Sequence, residues 1–302
     1  MAMETIHITD VAPRDGLQNQ QVHLSTDAKL ELIRLLAAAG VRSVEATSFV
    51  SPKAVPQMAD AAELVKRIKA SLPGLRSSVL VPNLKGLERA HAAGAQEIAV
   101  VLSATETMNQ KNINMGLAQA TEVCAQTLAE AKALGLRTRA YVAVAFDCPF
   151  EGETPLAEVL RLAERMHRAG AGEIVIADTI GSASPGQVKK RITALARAVP
   201  VAQLALHLHD TRGMAVANAW AALEAGVRRF DASVGGIGGC PFAPGAAGNL
   251  ATEDLVLMAE RSGFATGISL AGLLDAIDFA EAQLQRPLGG RAIHWLRRQR
   301  AS

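Results

Sequence analysis

Eight short runs of β-branched and aliphatic residues recur along this chain, and helical patterning separates each from the next. They are TIHITDV (5–11), SVEATSF (43–49), RSSVLVP (76–82), EIAVVLSA (97–104), TRAYVAVAF (138–146), EIVIADT (173–179), QLALHLHD (203–210) and RFDASVG (229–235). Five of the intervening segments close on a glycine just before the next run, in AAGV, AAGA, ALGL, RAGA and EAGV. In STDAKLELIRLLAAAG, for example, Ser25 or Thr26 caps the helix and Gly40 ends it. Eight βα units in succession predict an α/β fold, a (β/α)8 TIM barrel. No linker rich in Pro, Ser or Gly interrupts the rhythm. One catalytic domain over 1–302 is therefore expected, with the barrel at about 5–262 and a helical extension at about 263–302. A doubly wound sheet would need a dinucleotide fingerprint at its first βα turn, and APRDGLQNQ is not one.

Composition narrows the class further. With 302 residues, 49% hydrophobic and 20% charged, the chain can bury a large core. A net charge of +2 gives no reason to expect nucleic acid or a membrane surface as partner. Three scattered cysteines, Cys124, Cys148 and Cys240, make neither a disulfide framework nor a zinc knuckle. No apolar run approaches membrane-spanning length, and strand-like sequence begins near Thr5, so a cytoplasmic protein is expected. The basic tail RRQR reads as a solvated end.

In a barrel of this kind chemistry belongs at the C-terminal ends of the strands. Alternation in LALHLHD puts Leu204, Leu206 and Leu208 on one face and His207 and His209 on the other, pointing inward. Two inward histidines at i and i+2 read as a metal site. Asp15 follows the first strand and Asn249 closes the glycine-rich GGIGGCPFAPGAAGN after the eighth, so both converge on those histidines once the barrel closes. Two oxygens and two imidazoles suit a fairly hard divalent cation, Mg²⁺ or Mn²⁺, with positions left for a bidentate substrate. Glu45 in the second strand and Asp178 at the end of the sixth share that rim, as helix caps, loop partners or supports of the cation and substrate. Arg14, beside Asp15, is placed to hold an oxyanion. Asp210 either orients a histidine ring or caps the following helix.

Taken together, VAPRDGLQNQ, VEATSFVSPKAVPQM, VPNLKG, KNIN, CPFEG, DTIG, HLHDTRG and GGIGGCPFAPGAAGNLATEDL resemble the 3-hydroxy-3-methylglutaryl-CoA lyase family of metal-dependent Claisen-type barrels. The motifs run in order from residue 9 to 257. Arg-Asp with His-x-His-Asp marks only the wider superfamily of synthases and aldolases. SFVSPK and GGCPFAPGAAGNLATEDL narrow the resemblance to the lyases. It implies that Asp15, His207, His209 and Asn249 hold the cation and that Arg14 faces a developing enolate. Glu45, Gln18 and Asp178 then support cation and substrate, Glu253 backs the loop, and Cys240 sits on a catalytic loop. Arg212 and Met214 stand where better-known members have tyrosine and glutamine, which bears on the acyl substituent and the CoA contacts.

The implied reaction is a retro-Claisen cleavage of an acyl-CoA, releasing acetyl-CoA and a 3-oxo acid. Asp15 or His207 takes the hydroxyl proton, and Cys240 protonates the enolate carbon. A homo-oligomer, dimer or tetramer, is expected. The competing readings are a related synthase or aldolase, a lyase for a longer branched substrate, and a non-catalytic CoA- or metal-binding protein. A Schiff-base aldolase needs a strand lysine projecting into the barrel, and no run here offers one.

Overall fold

The computed structural model describes residues 3–239 and 248–301. The eight runs form eight barrel strands: β1 (His7–Asp10), β2 (Ser43–Ser48), β3 (Arg76–Leu80), β4 (Glu97–Ser103), β5 (Arg137–Ala143), β6 (Glu173–Asp178), β7 (Leu204–Leu208) and β8 (Arg229–Ala232). All pair in parallel and in sequence order, and β1 closes the ring by pairing with both β2 and β8. The fold is the (β/α)8 TIM barrel expected of the sequence rhythm. A two-residue hairpin, 147–148 with 152–153, lies after β5.

The outer helices include α1 (Thr26–Ala38), α2 (Ala61–Ser71), α3 (Leu84–Ala92), α4 (Glu106–Ile113), α5 (Leu117–Ala133), α6 (Leu156–Arg168), α7 (Pro185–Leu195), α8 (Ala215–Glu224) and α9 (Thr252–Arg261). Ser25 is the residue that caps α1, accepting a hydrogen bond from the Ala28 N–H. Gly40, which follows that helix, has φ +102°, and a Cβ there would lie 2.2 Å from the Gly267 carbonyl oxygen. Only glycine makes that stop.

Period-2 alternation divides the strand side chains between two cores. Leu204, Leu206 and Leu208 pack outward beneath the helices, in a continuous apolar shell. Inside, Leu80, Ala99, Tyr141, Val175 and Ala205 form a small cluster. Ion pairs fill other interior positions: Arg76 and Arg137 meet Glu97, while Arg139 and Arg229 meet Glu173. The inside of the barrel is thus packed rather than hollow.

The last run is shorter than the sequence pattern suggests. β8 ends at Ala232 because Ser233 turns to pair with the segment around Ala251, and residues 234–236 form a tight turn. After the barrel come α10 (Leu270–Leu284), capped by Ser269, and α11 (Ile293–Ala301). The basic tail is therefore helical and partnered: Arg297 bonds Asp278 and Glu281, and Arg300 bonds Asp275 and Asp278, all on α10. The acidic spacing along α10 matches the arginine spacing on α11, a relation between helices that the tail alone does not reveal. Among the described residues no helix is long and apolar enough to cross a membrane.

Candidate active site

Immediately after β1, the residues APRDG form a π-helical turn, Ala12–Gly16. Turns of this type are uncommon and tend to appear at functional sites. Asp10 sets it: one carboxylate oxygen accepts the Ala12 N–H at 2.9 Å, and the other accepts the Val234 N–H at 2.9 Å and the Thr252 hydroxyl at 2.7 Å. The turn is thereby tied to the loop after β8 and to the start of α9.

Arg14 and Asp15 emerge from this turn at the C-terminal mouth of the barrel. Arg14 is buried; its Nε donates to Glu45 Oε2 at 2.7 Å and its Nη1 to Asp15 Oδ1 at 2.8 Å. Glu45 lies where the β2–β3 register shifts, between Glu45 and Thr47. Such an irregularity re-aims a strand side chain. Burial disfavours the charge on Arg14, but Glu45 and Asp15 outweigh it and keep the guanidinium protonated. Burial also raises the Glu45 carboxyl, against the pull of Arg14.

His207 ends its alternation facing Asp15, and His209 lies just beyond β7. Residues 248–250 run beside that strand end: Leu250 N–H bonds the Leu208 carbonyl at 2.8 Å, and Asn249 pairs with His209. Asn249 Nδ2 donates to Asp15 Oδ2 at 2.8 Å and to the Ile237 carbonyl at 3.1 Å. Gly238 is required here, since a Cβ on it would sit 2.3 Å from Asn249 Nδ2. One donor atom each from Asp15, His207 and His209 fall within 4.8 Å of one another. Burial opposes ionisation of Asp15, yet Arg14 and the two imidazoles prevail and hold its carboxyl below the usual range. Burial, helped by His207, pushes His209 down to about 4, so its ring is a neutral donor at neutral pH.

The other residues singled out from the sequence take distinct places. Gln18 Nε2 reaches Asp15 Oδ1 at 3.4 Å. Asp178 uses its carboxylate on the Ser182 and Ala183 N–H groups, while its carbonyl oxygen lies 3.1 Å from His209 Nδ1. Glu253 is fully buried and accepts the Gly235 N–H at 3.0 Å and the Gly290 N–H at 2.6 Å. It joins the turn after β8 to the segment between α10 and α11 and does not face the cluster directly. Asp210 caps α8, accepting the Ala215 N–H at 3.0 Å. Cys240 lies outside the described residues. Cys124 and Cys148 are buried.

Sequence reasoning missed Asp10, Arg139, Tyr141 and Asp231, which are all buried beneath or beside the cluster. A signal existed. Arg139, Tyr141 and Asp231 are polar residues at inward parity in apolar runs, as Arg139 and Tyr141 are in TRAYVAVAF, whereas Asp10 shares the outward parity of Ile8 and gives no such signal.

The cluster fits a divalent cation on its own chemistry. Asn249 Oδ1 is buried without a hydrogen-bond partner among the described residues, beside the Asp15, His207 and His209 donors. An orphaned amide oxygen is costly unless something positive faces it. Carboxylate, amide oxygen and two imidazoles make a donor set suited to Mg²⁺ or Mn²⁺.

Comparisons with known proteins bear on the chain as a whole. A family model described as HMGL-like matches residues 5–279. The mitochondrial hydroxymethylglutaryl-CoA lyase of Rattus norvegicus is 46% identical over 281 residues, covering 93% of this chain and 86% of the relative. The crystal structure of the Bacillus subtilis HMG-CoA lyase superposes with a TM-score of 0.93 at 41% identity, covering 98% of this chain and all of the other. An HMG-CoA lyase from Acinetobacter baumannii, solved with coenzyme A and 3-methylmalate, gives a TM-score of 0.91 at 40% identity, covering 96% and 94% of the two chains.

Proposed function

Because this chain belongs to the HMGL-like family, we propose that it is a metal-dependent carbon–carbon lyase cleaving hydroxymethylglutaryl-CoA, or a close 3-hydroxyacyl-CoA, to acetyl-CoA and the matching 3-oxo acid. The observation that carries this reading is the convergence of Asp15, His207 and His209 within 4.8 Å, beside the orphaned Asn249 oxygen and next to a buried arginine. The coenzyme A and 3-methylmalate held by the Acinetobacter baumannii neighbour support an acyl-CoA carrying a short, branched hydroxy acid.

Asp15, His207, His209 and Asn249 would hold the cation, Mg²⁺ or Mn²⁺. When bound, such an ion supplies positive charge that acidifies a chelated hydroxyl and polarises a neighbouring carboxylate or carbonyl. The C3 hydroxyl proton passes to Asp15 or His207. As the C2–C3 bond breaks, its electron pair enters the thioester enolate. Arg14 faces that charge: three of its five N–H groups engage Glu45 and Asp15, which keeps the fork fixed and leaves two to donate. Cys240 then returns a proton to C2, giving acetyl-CoA. A thiol with an ordinary pKa of about 8.5 is largely protonated at neutral pH and suits that task.

The test is acetyl-CoA release by the purified protein from a panel of 3-hydroxyglutaryl-CoA esters with hydrogen, methyl or longer branched groups at C3. Release from the methyl ester, abolished by chelation and restored by Mg²⁺ or Mn²⁺, is the expected result. No release from any ester, or full activity after exhaustive chelation, would refute the reading.

A further inference from the structure

Behind His207 lies a buried chain of charges that the proposed reaction does not use. Asp231 on β8 is the register partner of His207 on β7, so their side chains stand side by side inside the barrel. Asp231 Oδ1 accepts Arg139 Nη2 at 2.6 Å, and Asp231 Oδ2 accepts the Tyr141 hydroxyl at 2.7 Å. Arg139 also bonds Glu173 at 2.7 Å and donates to the Tyr141 oxygen at 3.1 Å. His207 Nδ1 lies 3.2 Å from the same Asp231 Oδ2. The Tyr141 ring meets the His207 ring edge-on, with centroids 5.9 Å apart.

We propose that Asp231 is a positioning residue, fixing the proton of His207 on Nδ1 so that Nε2 presents its lone pair as a cation ligand; with both ring nitrogens so engaged, Asp15 rather than His207 takes the hydroxyl proton. This role rests on the reading of Asp15, His207, His209 and Asn249 as a cation site. The reasoning is one of donors and acceptors. Paired with the Arg139 guanidinium and already receiving the tyrosine proton, the Asp231 carboxylate has none to give. A ring nitrogen 3.2 Å away must therefore donate. His209 reaches the same tautomer by another route, since its Nδ1 faces the Asp178 carbonyl oxygen, which only accepts. The two anchors differ in one respect: a carboxylate behind an imidazole makes its other nitrogen a stronger ligand than a carbonyl does. Arg139 and Tyr141 hold Asp231 in place, which explains why a charged cluster is buried in the barrel interior.

A purely structural Asp231, serving only as counter-ion to Arg139, would leave the tautomer and the cation affinity alone. The first measurement uses the wild-type protein, ¹⁵N-labelled and stripped of cation, with the His207 ring signals assigned through a His207→Asn variant. A protonated Nδ1 and bare Nε2 are expected; a protonated Nε2 overturns the proposal whatever the variants do.

The second measurement is Mn²⁺ affinity by electron paramagnetic resonance. In Asp231→Asn the amide oxygen must serve Arg139, which turns the NH₂ group toward His207 and drives the ring proton to Nε2. Mn²⁺ binding should weaken 10- to 100-fold, the usual cost of losing such an outer partner. Tyr141→Phe, which keeps both Asp231 and Arg139, should keep the wild-type tautomer. A wild-type protein that binds no Mn²⁺ overturns the cation site and this role with it. Wild-type binding that Asp231→Asn matches overturns this role alone.

Discussion

Replacing Asn249 with alanine should change the stability of the cation-free and cation-loaded protein by different amounts. Without cation, the substitution removes two hydrogen bonds, to Asp15 Oδ2 at 2.8 Å and to the Ile237 carbonyl at 3.1 Å. The charge-assisted bond contributes about 2 kcal/mol and the neutral one about 1. Alanine also deletes the orphaned Oδ1, whose burial costs about 1–2 kcal/mol. The net loss is about 1–2 kcal/mol. A chain of 302 residues unfolds with an entropy of about 0.6 kcal/mol per kelvin, so Tm should fall by about 2–3 °C. The loaded protein behaves differently, because there Oδ1 is a ligand rather than an orphan. At a Mn²⁺ concentration 100 times the wild-type Kd, binding stabilises the wild type by about 2.7 kcal/mol, or roughly 4 °C. A tenfold weaker site at the same concentration yields about 1.4 kcal/mol, or roughly 2 °C. Calorimetry of both proteins with chelator and with Mn²⁺ measures the two gaps. A variant whose gap equals that of the wild type would refute the assignment of Asn249 as a ligand.

Three further outcomes are expected. Arg14→Lys keeps a charge but cannot span Glu45 and Asp15 with one planar fork; kcat for acetyl-CoA release should fall by roughly 10²-fold. A change confined to KM would show that Arg14 only binds substrate. Cys240→Ser should lower kcat by roughly 10²–10⁴ through loss of the proton donor, with Mn²⁺ affinity unchanged; near-normal turnover would remove the thiol from the mechanism. Burial pushes Asp10 up to about 6 despite its three hydrogen-bond donors, so the folded state binds its proton more tightly than the unfolded chain. Its contribution to stability should therefore be full below about pH 4 and decline by up to about 3 kcal/mol as pH rises through 6. Urea melts from pH 4 to 8 in chelator, wild type minus Asp10→Asn, should show that fall; a rising difference would contradict it.

The barrel was legible because its information is local. Apolar alternation, helical spacing and a glycine at five of the helix ends are written in consecutive residues, and they impose strand, helix and stop without knowledge of the neighbours. Parity alone placed His207 and His209 on the inner face, since successive strand side chains point opposite ways. With eight parallel units, the rim position of Arg14, Asp15 and Asp178 followed from their places at strand ends. The family resemblance was legible too, because its motifs are contiguous and run in order along the chain.

Partnership was not legible, because it depends on which strands meet across the barrel. Asp231 becomes the anchor of His207 only when β8 lies against β7 in a register that opposes the two residues. Arg139, 92 positions away in the chain, is brought to that same carboxylate by closure of the ring. Glu253 holds the turn after β8 to the segment beyond α10 because folding delivers both N–H groups to one buried carboxylate. The sequence by itself thus determined the architecture and the residue types at the barrel mouth. Tertiary structure decided which acceptor faces each histidine and which carboxylates hold Arg14, because a buried charge must find its partner in space and that partner is seldom its neighbour in the chain.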